Sequence, residues 1–371
     1  IYQIGGAMAN AGIYLTIIKI KIPKEVIKMK KLIKIISVLA VVSIIAACFA
    51  GCGSSKPTIG IIQFGSHESL NNCYKGIIEG LKETINLDDY NVEYVNSNFT
   101  AETSLSQAQK MVNSRAKVII AIATPSAIQA ATAATGKDVP VVYCAVTDAS
   151  QVANFKNMTG TSDIPDFAAQ LKLVTSFMGK SDLKIGVLSS TEESSDALQI
   201  ENLTKESKNY DGMEIITETV ADITTIDTKV DSLISKKIDC IVNLLDNTIV
   251  GKLQNILAKT NDAGIPVFGS EVEQVRSGCL ASASIDYITV GKLCGRQAAE
   301  ILGGKSADEV AAKTMENETY PYYNSIMLNK LRLNLPADIE GLEDAVKDFA
   351  DALSSGKPAT DNDSDTGSSE S

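Results

Sequence analysis

Tryptophan is absent from this 371-residue chain, histidine occurs once, at His67, and aromatic residues make up 5% of the sequence. A lone histidine narrows the chemistry. A zinc site would have to be completed by cysteines or carboxylates at ligand spacing, and none are so spaced. A Ser-His-Asp triad would have to be built on His67, and no G-x-S-x-G elbow supports one. A phosphate-cradling glycine loop is also missing. Catalytic residues, a bound metal and a cofactor are therefore not expected, and the chain does not read as an enzyme. The seven cysteines form no C-x-x-C pair, which removes the sequence sign of a redox motif or a dense disulfide framework. Cys73, Cys144, Cys240, Cys279 and Cys294 lie in apolar-rich segments and are expected to be small buried core residues.

Positive charge is scarce outside the first fifty residues. Residues 1–51 hold seven lysines and one glutamate, which leaves 27 basic and 44 acidic residues and a formal charge of −17 for the remainder. Nucleic acid is excluded as a partner, because phosphate neutralisation needs clustered Lys and Arg. Peripheral binding to anionic lipid is disfavoured for the same reason.

The front end is of another kind. "MKKLIKIISVLAVVSIIAAC" runs from Met29 to Cys48, with a basic start (Lys30, Lys31, Lys34) and an apolar stretch from Ile35 to Ala47. It reads as a secretory signal peptide over 29–51 and is short for a spanning helix. Residues 1–28 then look like over-extended translation. Small residues precede Cys48 in "IAAC" and Cys52 in "FAGC", and Gly53, Ser54 and Ser55 begin a tether over 52–57. The pattern resembles the lipobox of bacterial lipoproteins, with Cys52 as the lipidated residue and Cys48 as the alternative. Acylation there would attach the chain to the outer face of the cell membrane, palmitate being the expected kind of acyl chain.

Beyond residue 57, β-branched runs alternate with amphipathic stretches. "TIGIIQF" (58–64), "NVEYVNS" (91–97), "KVIIAIA" (117–123) and "PVVYCAV" (140–146) read as strands, and Leu70, Cys73, Tyr74, Ile77, Ile78, Leu81 and Ile85 fall on one helical face. That alternation predicts a parallel sheet covered on both sides. The order repeats in "KIGVLSS" (184–190), "MEIITETV" (213–220), "DCIVNLL" (239–245) and "IPVFGSE" (265–271), with Ile59-Gly60 and Ile185-Gly186 offset by 126 residues. The expected fold is α/β: two similar lobes, each a parallel sheet flanked by helices. Facing strand ends would make a hinged clamp on a small ligand.

Polar residues gather at those strand ends: Ser66, His67 and Glu68; Thr124, Pro125 and Ser126; Thr147 and Asp148; Ser189, Ser190 and Thr191; Asp246 and Asn247; Glu271; Asp286. Thr124 suits an N-cap and Pro125 the first helical position, so free amides there would receive a carboxylate, plain capping being the alternative. An acid opposite, Asp246, Glu271 or Asp286, would hold an ammonium. The expected ligand-binding set is Ser66, His67, Thr124, Pro125, Ser126, Thr147, Asp148, Ser190, Asp246, Asn247, Glu271 and Asp286. Phe64, Tyr143 and Tyr287 flank the expected cleft.

The segments "IGIIQFGSHESLNNCYKGIIEGL", "VIIAIATPSAIQAAT", "KDVPVVYCAVTD", "TGTSD", "LDNTIV", "AGIPVFGSE" and "SIDYITVGKLCGRQAAEIL" resemble the substrate-binding lipoproteins of ABC transporters that include tryptophan and tyrosine binders. The resemblance covers roughly residues 58–336. It implies a type I periplasmic-binding-protein fold with a three-strand hinge, its crossovers near 147–165, 274–284 and 303–312. It also implies an amino-acid ligand, often aromatic, with permease and ATPase subunits as partners. By position, the family's turns fall on Thr124, Pro125 and Ser126, on Thr147 and Asp148, on Asp246 and Asn247, and on Asp286 and Tyr287. Glu68, Asn71 and Ser270-Glu271 depart from its usual residues. The implied lobes are 58–147 with 284–305, and 148–283 with 306–336. A C-terminal helix over 337–353 and a disordered tail over 354–371 complete the expectation, with the protein monomeric. A nucleoside or sugar receptor of the same fold is the alternative, as is a ligand sensor without transport; missing tryptophan counts against sugar.

Overall fold

The computed structural model describes residues 56–315 and 318–347. The signal segment, Cys48, Cys52, the tether to residue 55 and the expected tail lie outside them.

The first sheet is parallel throughout, in the order β11-β5-β4-β3-β1-β2. Its strands are β1 (Thr58–Gln63), β2 (Asn91–Asn96), β3 (Val118–Ile122), β4 (Val141–Cys144), β5 (Met158–Ser162) and β11 (Lys313–Thr314). The helices α1 (Glu68–Lys82), α2 (Ala101–Asn113), α3 (Thr124–Ala134) and α10 (Tyr287–Leu302) belong with it. The central strands β1 and β3 read as near-continuous aliphatic runs because both faces are covered. Ile59 and Ile61 go into one core with Val118 and Ile120, while Ile62 and Ile119 go into the other.

One helix pair on this sheet is unusually close. Gly76 and Gly80 of α1 lie against Gly291 and Gly295 of α10, each pair four residues apart and so on one face. A Cβ at Gly76 would stand 2.2 Å from the Ile288 carbonyl oxygen, and one at Gly291 would stand 2.2 Å from that of Cys73. Only glycine lets the two backbones approach this far.

The second sheet runs β13-β12-β10-β9-β8-β6-β7, with β10 and β12 antiparallel. Its strands are β6 (Lys184–Ser190), β7 (Glu214–Val220), β8 (Cys240–Val242), β9 (Val267–Phe268), β10 (Ala281–Ser284), β12 (Tyr320–Tyr323) and β13 (Glu343–Asp344). Around it lie α4 (Phe167–Met178), α5 (Asp196–Ser207), α6 (Ile226–Ser235), α7 (Asn247–Val250), α8 (Leu253–Ala263), α9 (Val272–Arg276) and α11 (Ser325–Leu331). Two cores cover its faces, one around Phe177, Val187 and Phe268 and one around Val230, Ile241 and Ile256.

The chain passes between the sheets at 163–166, at 285–286 and between Thr314 of β11 and Tyr320 of β12. The first and third passages lie later than the sequence suggests. β5 pairs with β4 through Val142↔Thr159 and Cys144↔Thr161, and β11 pairs with β5, so 148–162 and 306–315 belong to the first lobe. β5 reads "MTGTS", without the aliphatic run that marks its neighbours, and β11 has two residues. The C-terminal helix expected over 337–353 is also corrected where it is described: Glu343–Asp344 is a strand paired in parallel with β12. The five cysteines from Cys73 onward are free and buried, as their surroundings imply.

Candidate functional site

Most strands point their carboxyl ends at the space between the two sheets. Two of those ends carry backbone strain. Ala123 has φ 78° and Ala145 φ 56°, in the region that favours glycine. Each conformation costs about 1–3 kcal/mol and persists because the sheet holds it. Ala123 N–H donates to Cys144 O at 2.9 Å and Ala145 N–H to Thr161 O at 3.0 Å.

Beneath these ends lies a small cavity. Its polar wall is His67, Ser69, Thr147, Asp163, Asn247, Glu271 and the Tyr287 hydroxyl, with Leu70, Ala145 and Leu245 as its apolar part. About 10 Å³ of water-sized space remains in it, little for even one water. The lobes are drawn together around it by direct bonds. His67 Nε2 lies 2.9 Å from Asn247 Oδ1. Asn72 Nδ2 donates to Glu273 Oε1 at 2.7 Å, Ser69 Oγ to Glu273 Oε2 at 3.3 Å, and Gln151 Nε2 to Ser194 O at 2.8 Å. His67, Ser69 and Glu271 also line an open depression at the cleft mouth, which marks the way in.

The first bond fixes a tautomer. Asn247 Nδ2 donates to Glu193 Oε2 at 2.8 Å, so its oxygen faces His67 and the histidine carries its proton on Nε2. The ring also stacks on Phe99, with centroids 6.4 Å apart and planes 8° apart. Burial pushes His67 down to about 4, against the opposing pull of its bond to Asn247.

The electrostatics of the wall are one-sided. Asp163 sits in the first crossover, its Oδ1 accepting from Thr147 Oγ1 at 3.1 Å and its Oδ2 from the Tyr287 hydroxyl at 2.9 Å. Burial raises it to about 7 despite both bonds. Burial also raises Glu271 well above the usual carboxylate range, reinforced by the charges of Glu273 and Asp163. Its Oε2 is buried and has no hydrogen-bond partner. Glu193 is raised to about 8 by burial and then by the charge of Asp246. Among the described residues that line the cavity there is no Lys or Arg. An isolated buried carboxylate is held neutral or waits for a cation.

Of the twelve residues singled out in the sequence, His67, Thr147, Asn247 and Glu271 meet in this wall. Ser66 is exposed at the mouth. The others serve the scaffold. Asp246 is fully buried: Oδ1 accepts from Ser190 Oγ, Thr248 N and Ile249 N, and Oδ2 from Ser190 N at 2.6 Å. It caps α7 and ties down the end of β6, leaving little capacity for an ammonium. Ser190 is its partner. Asp286 is an exposed cap of α10, bonded to Ile288 N, Thr289 N and Thr289 Oγ1. Asp148 caps a short turn and holds Gln151. Thr124 Oγ1 accepts from Thr147 N, Pro125 is buried at the start of α3, and Ser126 joins a chain of internal hydroxyls through Ser104 and Ser97. The starts of α1, α7, α9 and α10 line the cavity, and that of α3 does not. Phe64 and Tyr143 belong to the cores, and Tyr287 alone of the three flanking aromatics lines the cavity.

Asp163, Ser69 and Leu245 escaped sequence reading. Asp163 directly follows β5, the strand the pattern hid, so the strand-end rule would have found it. Leu245 follows β8 yet packs into the core of the other lobe.

Two sheets joined by three passages, with a small polar cavity between them, define a two-lobed ligand-binding protein of the type I periplasmic class. The family of ABC transporter substrate binding proteins matches residues 58–347, and this chain belongs to it. A tyrosine-binding protein of Clostridioides difficile is 34% identical over 292 residues, spanning 76% of this chain and 82% of that protein. A Streptococcus pneumoniae ABC domain in complex with L-Trp superposes with a TM-score of 0.72 at 26% identity, over 78% of this chain and 100% of that one. A ligand-free, open substrate-binding protein with adhesive properties from Clostridium difficile, also 26% identical, gives 0.58 over 78% of this chain and 98% of that one. The better fit to the liganded relative accords with the bonds that join the lobes here. The family is one of solute-binding proteins, not enzymes, and its members in importers work outside the cytoplasm.

Proposed function

We propose that this protein captures an α-amino acid, or a similar small zwitterion, in the interlobe cavity and delivers it to the permease and ATPase of an ABC importer. The observation that carries this reading is the wall of Glu271 and Asp163, two buried acids with no cationic side chain beside them. A ligand ammonium supplies the missing charge. Its carboxylate fits the start of α1, where His67, at the N-cap, makes no side-chain bond to the first turn. First-turn amides and the helix dipole favour an anion there. The tyrosine- and L-Trp-binding relatives make an aromatic amino acid the first candidate. Lobe closure then hides the ligand and presents both lobe surfaces together, which lets a membrane partner sense occupancy. Attachment through an acylated Cys52 keeps the receptor beside its permease; Cys52→Ala should release it from membranes.

The test is a thermal-shift screen of the purified protein against the twenty amino acids, nucleosides and simple sugars. A ligand that binds only the native state adds about 2.7 kcal/mol at a hundredfold excess over Kd. Shifts confined to amino acids support the reading. Shifts with sugars or nucleosides alone overturn it.

A further inference from the structure

A second small cavity lies on the hinge side of Leu245. Leu245 lines both cavities. The hinge cavity has apolar walls, from Pro165, Phe167, Leu244 and Ile285, and Asn243 as a polar wall. Asn243 is 3% exposed, and its Oδ1 has no hydrogen-bond partner.

The direction of the bonds leading to Asn243 is set by a backbone carbonyl, which can only accept. Ser270 Oγ donates to Leu244 O at 3.1 Å. It therefore accepts from Gln274 Nε2, at 2.7 Å. With its nitrogen on Ser270, Gln274 turns Oε1 the other way, where it accepts from Asn243 Nδ2 at 2.8 Å. The chain ends on Asn243 Oδ1 as an open acceptor. The other two amides of this wall are used up. Gln170 bonds Gly269 O and Ala283 N, and Gln199 bonds both backbone groups of Leu245. A buried acceptor without a partner is rare enough to ask what completes it.

We propose that the ligand's side chain reaches past Leu245 into this hinge cavity and donates a hydrogen bond to Asn243 Oδ1, which makes Asn243 a specificity-determining residue. This rests on the amino-acid reading above. The ligand class is then narrower: an amino acid with an apolar body and a donor at its tip, a phenol or an indole. Gln274 and Ser270 hold the Asn243 amide in place, so the acceptor that receives the side chain is fixed before the ligand arrives. Leu245 moves aside as the ligand seats.

Calorimetric titration of the full-length protein in detergent with L-tyrosine, L-tryptophan, L-phenylalanine and L-leucine tests this. Tyrosine and phenylalanine differ only in the donor. The expected result is at least tenfold tighter binding of L-tyrosine or L-tryptophan than of L-phenylalanine, since a site built around a donor rejects the analogue lacking it. Asn243→Leu should abolish that preference while L-phenylalanine still binds; Asn243→Ala serves if the larger side chain prevents folding. Equal binding of all four ligands overturns the inference and leaves the amino-acid reading standing. So does a preference that survives in the variants. Binding of none of the four also overturns the inference, and the screen of all twenty amino acids then decides the amino-acid reading separately.

Discussion

His67 and Asn247 meet across the cleft at 2.9 Å, one from each lobe, and the contact is buttressed on both sides. Phe99 stacks on the imidazole and Glu193 holds the amide. The bond exists only when the lobes are together, so it favours the closed state over the open one. His67→Ala should therefore speed ligand release. A hydrogen bond of this kind contributes about 1 kcal/mol, which corresponds to about fivefold in the dissociation rate. Stopped-flow release of bound ligand measures it.

Glu271→Gln separates binding from stability. Glu271 Oε2 is buried and unpartnered, an arrangement that destabilises the empty protein. The substitution should raise the melting temperature without ligand and weaken amino-acid binding by at least tenfold. A scaffold residue would lose both together. Differential scanning fluorimetry with and without ligand reads the two signs.

Asp246→Ala should behave in the opposite way. Its carboxylate caps α7 and accepts both the amide and the hydroxyl of Ser190. Loss of a cap and of buried bonds costs about 1–3 kcal/mol. The expected outcome is a lower melting temperature for the empty protein, with ligand affinity following stability instead of exceeding its loss.

The pH dependence follows from raised acids. Glu193 rises to about 8 and Asp163 to about 7, both by burial. A raised carboxyl contributes stability that is present below its unfolded value and lost as pH climbs through its folded value. Ligand-free stability should therefore fall between about pH 5 and pH 8. His67, depressed to about 4, works in reverse: its contribution is intact above about 6.5 and lost below. Between pH 6.5 and 8 only the acids act, so calorimetry there should give a falling melting temperature without ligand. The ligand's stabilising shift should grow over the same interval, because its ammonium favours the ionised acids.

Gly291→Ala tests the scaffold alone. The added methyl would stand 2.2 Å from the Cys73 carbonyl oxygen, part of a helix backbone that cannot rotate away. Forcing α1 and α10 apart should cost about 1–3 kcal/mol, or roughly 2–5 °C in melting temperature for a domain of this size.

The lobes were legible because their central strands are aliphatic runs buried on both faces and their order repeats at 126 residues. β5 and β11 were not, since "MTGTS" and a two-residue strand carry no hydrophobic signal, and the lobe boundaries shifted with them. The site was half legible. Strand ends could be named, but sequence does not say whether an acid there faces the cleft or its own helix. Asp246 and Asp286 face their own helices and are consumed as caps, while Glu271 opens into the cavity. Asp163 was hidden with the strand that carries it.

The central claim is that buried acids receive a ligand ammonium. Calorimetry with the amino acid that gives the largest thermal shift, set against its N-acetyl derivative, tests it most directly. Acetylation removes the charge and keeps the side chain and carboxylate. The account expects at least a hundredfold loss of affinity for the wild type and a much smaller loss for Glu271→Gln. Equal binding of the two compounds by the wild type would contradict it.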